Sequence, residues 1–73
     1  MQKAFTAVIQ REEDMYVALC PELDVVSQGA TVQEARENLR EAVQLFLEDA
    51  SPEEVKERLH DEQYVSSIEV VFG

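Results

Sequence analysis

Apart from its carboxylates, this sequence has few residues able to carry chemistry, and they are scattered. His60 is the only histidine and Cys20 the only cysteine. A histidine works as general acid or base when a nucleophile or an orienting carboxylate is arranged with it. No Ser, Cys or Asp stands with His60 in such a motif. Its place at the end of a short helical pattern instead suits a role in satisfying C-terminal helix carbonyls. Cys20 lies beside Pro21 at the end of an apolar run, where a free cysteine behaves as a small buried hydrophobe. The surrounding acids do not favour a reactive thiolate. No Cys/His spacing matches a structural zinc site, so neither a metal nor a cofactor is expected.

The carboxylates themselves form the remaining pattern. Sixteen acidic residues against six basic ones give a net charge of −10. Glu34, Glu37, Glu41 and Glu48 recur at helical spacing and project in one direction, with Arg36 and Arg40 flanking them. Like charges at three- and four-residue spacing cost a few tenths of a kcal/mol each. They form either an ordinary solvated face or an acidic ridge for a basic partner. Glu22 and Asp24, in a loop after Pro21, are further candidate contacts, as is the acidic turn Glu12-Glu13-Asp14. Nucleic-acid phosphates need clustered Lys and Arg, which are missing, so direct DNA or RNA binding is not expected.

The elements that must position these residues follow from periodicity. Phe5, Ala7 and Ile9 alternate with Thr6, Val8 and Gln10, which predicts a strand. Arg11 to Asp14 is turn-like, and Met15 to Cys20 completes a hairpin. Pro21 ends the ladder, since it has no amide hydrogen to donate. Val25-Val26-Ser27 predicts a third strand, and Gly29 provides a permissive backbone before a helix. Thr31-Val32-Gln33-Glu34 fits a capping box. Val32, Ala35, Leu39, Ala42, Val43, Phe46 and Ala50 then form one stripe of a helix over about 32–50. Leu45 lies off that stripe, expected either under a second helix or at an oligomer contact. Ser51-Pro52 starts a short helix over about 52–60, with Val55 and Leu59 facing inward. Residues 64–72 alternate again, with Ile68, Val70 and Phe72 on one face, and predict a fourth strand. The whole is one α+β domain spanning 1–73, a single sheet with the main helix on one face.

In this order and spacing, Tyr16-Val17-Ala18-Leu19-Cys20-Pro21-Glu22-Leu23, then Ser27-Gln28-Gly29 and Thr31, resemble the HicB-like antitoxin family. Glu34-Ala35, Asn38-Leu39 and Glu41-Ala42 extend the pattern. The resemblance covers about two thirds of the chain and implies a partial ribonuclease H-like fold, β-β-β-α-β, assembled as dimers or tetramers. Within it Tyr16, Cys20, Pro21, Glu22, Leu23, Gln28, Gly29, Thr31, Glu34 and Ala35 are mainly structural. It further implies a partner: a small basic toxin of the HicA type, an RNA-cleaving protein silenced when its active surface is covered. Many members carry a DNA-binding extension, which is not expected here because the sequence stops at Gly73. A ribonuclease H-like nuclease needs carboxylates converging on two metal ions. The body of the first strand, Phe5 to Gln10, has no acid, so catalysis is not expected.

The expected function is that of an antitoxin-like binding protein that masks a small basic toxin. The alternative is a stand-alone oligomeric binding or scaffold module of the same fold with no toxin. At 73 residues only about 60% of the unfolded surface can be buried, and self-association is a common remedy. A homodimer or tetramer is therefore expected. No apolar run reaches the length of a leader or a membrane span, and the lone cysteine agrees with a cytoplasmic setting.

Overall fold

The two-residue turn Glu13–Asp14 sets the register of everything before it. It pairs Glu12 with Met15 and continues through Val8 opposite Leu19. Beyond that point Cys20 is the last residue that can be paired before Pro21, so regular pairing stops. The computed structural model describes residues 3–60 and 62–73; Met1 and Gln2, part of the stretch read above for a leader, and Asp61 lie outside them. β1 is accordingly Val8–Glu12 rather than a strand beginning at Phe5, and Arg11 and Glu12 belong to it, not to the turn. β2 is Met15–Cys20 and β3 is Val25–Gly29. The three form one antiparallel sheet in the order β1-β2-β3.

Two helices follow. α1 spans Val32–Asp49 and α2 spans Pro52–Arg58. The Thr31 hydroxyl accepts from the Glu34 amide at 3.0 Å, as the capping box predicts. The Glu34 carboxylate reaches one residue further back than that motif requires, to the Ala30 amide at 3.1 Å. Ser51 caps α2 in the same way, accepting from the Glu54 amide at 3.2 Å. The Leu59 amide bonds back to Val55 at 2.8 Å, closing the second helix two residues earlier than the pattern predicts.

α1 packs chiefly on β3, then β2, and only marginally on β1. Small residues make this close approach feasible. Ala18 is buried at the centre of the sheet opposite Ser27, and Ala35 is buried on the facing helix. A Cβ at Gly29 would stand 2.5 Å from the Ala35 amide nitrogen. Gly29 is thus required for space rather than for an unusual backbone angle. Asn38 donates to the Gln28 carbonyl at 2.8 Å, tying the helix to the strand edge. The buried core consists of Ala18, Cys20, Leu23, Ala35, Leu39 and Val43, with Phe5, Ile9, Tyr16, Val25, Phe46 and Leu59 packed around it.

Three expectations are corrected. Residues 64–72 do not form a fourth strand: the chain from 62 to 73 has no regular structure and is exposed throughout. Alternation supplies a face to bury, but a strand also needs a neighbour for its backbone, and among the described residues none pairs with this segment. The β-β-β-α-β topology is therefore incomplete in the single chain, which is β-β-β-α-α among the described residues. Leu45 is 57% exposed and so is not covered by α2. Val32, placed on the buried stripe, is also exposed, at the first position of α1.

Candidate protein-binding surface

The loop between β2 and β3 gathers polar contacts from distant parts of the chain. Leu23 is fully buried in the core, while its neighbours turn outward. Asp24 takes φ 55, a left-handed conformation that Asp and Asn tolerate better than most residues. The Glu22 carboxylate accepts from the Thr6 amide at 2.9 and 3.1 Å and from the Thr6 hydroxyl at 2.7 Å. Partial burial works against the charge on Glu22. The hydrogen bonds from the Thr6 hydroxyl and from the Glu22 and Thr6 amides outweigh it, holding the carboxyl below its ordinary value of 4.5. Cys20 Sγ donates to Glu22 at 3.5 Å. Burial, the largest effect, and the Glu22 carboxylate together push the thiol upward.

The end of α2 clamps the other side of this loop. Arg58 donates to the Leu23 and Asp24 carbonyls, both at 3.0 Å, and lies 4.9 Å from the centre of the Phe46 ring. His60 Nε2 stands 2.9 Å from Asp24 Oδ2, and the His60 amide donates to the Glu22 carbonyl at 2.8 Å. His60 therefore serves the loop rather than the helix carbonyls. Glu22 and Asp24, candidates for partner contact, are engaged within the chain itself. Thr6 and Arg58 were missed by sequence reading, since neither belongs to a local motif and each acts on residues at least sixteen positions away.

The acidic face of α1 has a different character. Glu34 is committed to its cap. Glu37 pairs with Arg40 at 3.2 Å and approaches Arg36 at 3.9 Å. Arg40 reaches Gln44 at 3.3 Å, and Gln44 reaches Glu48 at 3.2 Å. This row of surface bonds contributes little to stability. Glu41 is exposed and, among the described residues, has neither an ion-pair nor a hydrogen-bond partner. The four glutamates share one face: among the described residues Glu37 is paired with arginine, Glu34 and Glu48 accept hydrogen bonds from neutral groups, and Glu41 is engaged by neither. Among the described residues no three or more His, Cys, Asp or Glu side chains stand close enough to hold a metal ion. No helix is long and apolar enough to cross a membrane.

Apolar surface lies open elsewhere. On the sheet face away from α1, Val8, Leu19 and Val26 form a cross-strand row, with Val8 and Val26 exposed. Between α1 and the chain entering β1 there is an open cleft of about 890 Å³, lined by Phe5, Val43, Leu47 and Leu59 among others. A smaller one of about 200 Å³ adjoins it over Ala7, Cys20 and Leu39.

No family model matches the sequence, and no solved structure does. Curated relatives do. A UPF0150 protein of Helicobacter pylori is 36% identical over 68 residues, covering 92% of this chain and 94% of the relative. One from Synechocystis is 37% identical over 70 residues, covering 93% and 96%. One from Thermotoga maritima is 38% identical over 56 residues, covering 73% and 75%. Matched over nearly its whole length to proteins of nearly the same length, the chain belongs to the UPF0150 family.

Proposed function

We propose that this chain is a non-catalytic, cytoplasmic, HicB-like antitoxin domain that binds and masks a small basic HicA-type toxin. The observation that carries the reading is the solvent-facing charge of Glu41 and Glu48 on α1, within a chain of net charge −10. Opposite charge accelerates encounter and selects the partner, while contact area holds the complex. Masking needs no chemistry from the chain: covering the toxin's RNA-binding surface suffices. The resemblance over Tyr16 to Ala42 supports the identity of the toxin.

The test is co-purification with the small basic protein encoded beside this one. Tight association at low salt that weakens as salt rises is expected, and Glu41→Lys with Glu48→Lys should weaken it at least tenfold. Absence of such a neighbour, or no association at low salt, overturns the reading. The row Val8, Leu19 and Val26, exposed at Val8 and Val26, supports a second reading, an oligomeric binding module without a toxin. It predicts a stable homo-oligomer, no basic partner and no growth defect on deletion.

A further inference from the structure

One exposed side of α1 sets a large apolar side chain among acids, with no base of its own. Leu45 is 57% exposed there, left open by both α2 and the sheet. Helical spacing places Glu41 one turn before it and Glu48 and Asp49 one turn after, all three exposed. The only bases of α1, Arg36 and Arg40, line the smaller cleft on another flank of the helix.

The end of α1 breaks a rule that α2 keeps. α2 carries Glu53 and Glu54 in its first turn and Lys56 and Arg58 in its last, matching the helix dipole at each end. α1 has no basic residue in its last turn and holds Glu48 and Asp49 there instead. Both acids face the negative end of the dipole, which is unfavourable in the free chain. Asp49 has neither an ion-pair nor a hydrogen-bond partner among the described residues. A Lys or Arg brought from outside would offset that repulsion at the place where Leu45 offers apolar area. A local rule broken with no gain inside the chain is what a binding surface produces.

We infer that Leu45 is the apolar anchor for the basic partner, and that Glu41, Glu48 and Asp49 receive the Lys or Arg side chains rimming the hollow it fills. The inference rests on the toxin-masking reading and locates the contact within it. In a chain of charge −10, the acids speed encounter and set orientation, while the desolvated centre holds the complex. Leu47 lies on the cleft side of α1 instead and takes no part.

Titration calorimetry against the small basic protein encoded beside this one tests it, at two salt concentrations. Leu45→Ala should weaken association roughly tenfold or more, with the salt dependence unchanged. Leu47→Ala should bind as the parent does. Asp49→Asn should weaken association about threefold and flatten the salt dependence. In the free chain the same change should raise the thermal midpoint by a few degrees, because it relieves the helix end. Parent-like binding by Leu45→Ala would overturn the anchor and leave the toxin-masking reading standing. An equal loss from Leu47→Ala would move the contact to the cleft side and overturn it as well. An Asp49→Asn chain unchanged in both midpoint and affinity would mean an ordinary solvated face. A lower mass of Leu45→Ala alone by light scattering would make this face a contact between copies, and that too overturns the proposal. No association at low salt for the parent overturns both readings together.

Discussion

Glu22 is the side chain on which the body of the fold most depends for polar contact. Its carboxylate holds Thr6, and through it the chain entering β1, against the loop that carries Leu23 into the core. Because its folded pKa is depressed, its contribution to stability is fully present above the unfolded value near 4.5 and disappears as pH falls through the folded value. Glu22→Gln should therefore cost about 1–2 kcal/mol at neutral pH, the worth of a charge-assisted hydrogen bond. Its stability should also fall less than the parent's as pH drops below 4.5. Urea unfolding of both proteins at stepped pH measures this difference. Parallel pH profiles would show that Glu22 contributes only packing. The family pattern at Glu22 was legible in the sequence, but its partner was not. Thr6 is sixteen residues away, and nothing in its local sequence marks it.

Among the elements, the contact of α1 with β3 decides the architecture, and Gly29 decides that contact. An alanine there gains about 0.5–1 kcal/mol of backbone preference in a strand. It also places a carbon 2.5 and 2.8 Å from backbone atoms of Ala35 and Glu34, which cannot rotate aside. Overpacking of this kind costs about 1–3 kcal/mol, so the clash wins. Gly29→Ala should lower the thermal midpoint, while Ala30→Gly, at the exposed next position, should change it far less. Thermal denaturation of both variants checks this. The helices were readable because their signals are local: Thr31 and Ser51 each bond an amide three residues on. β1 was readable as a strand but not in extent, since its ends depend on the turn at Glu13–Asp14 and on where Pro21 stops its partner. Leu45 was ambiguous for a similar reason, as only the path of α2 determines whether anything covers it.

At the scale of the whole molecule, the core is thin for a domain of this length. Three of its six buried members, Ala18, Cys20 and Ala35, have small side chains. Ile68, Val70 and Phe72, by contrast, leave most of their surface in water, and burying each stabilises by about 1.5–3 kcal/mol. A partner that covered them would add a stabilisation comparable to that of much of a small domain. Stability supplied by a second copy of the chain must depend on mass action. Raising the protein concentration about a hundredfold should lift the thermal midpoint by several degrees. A midpoint independent of concentration would point to a self-contained monomer. The charge of −10 acts at the same scale, favouring encounter with basic surfaces and opposing contact between copies.

What the sequence determined by itself was local: the hairpin, the two capped helices, the apolar stripe of α1, the acidic face opposite it and the strand pattern of 64–72. Each depends on periodicity or on groups within a few residues of one another, where chain geometry leaves little choice. The tertiary structure decided which of those features are free. It engaged Glu22 and Asp24 with Thr6, Arg58 and His60, committed Glu34 to a cap, and left Glu41 and Glu48 facing solvent. It also withheld a neighbour from 64–72, leaving a strand pattern without a strand. Pairing of that kind joins residues far apart in the chain, or in two chains, and no local pattern contains it.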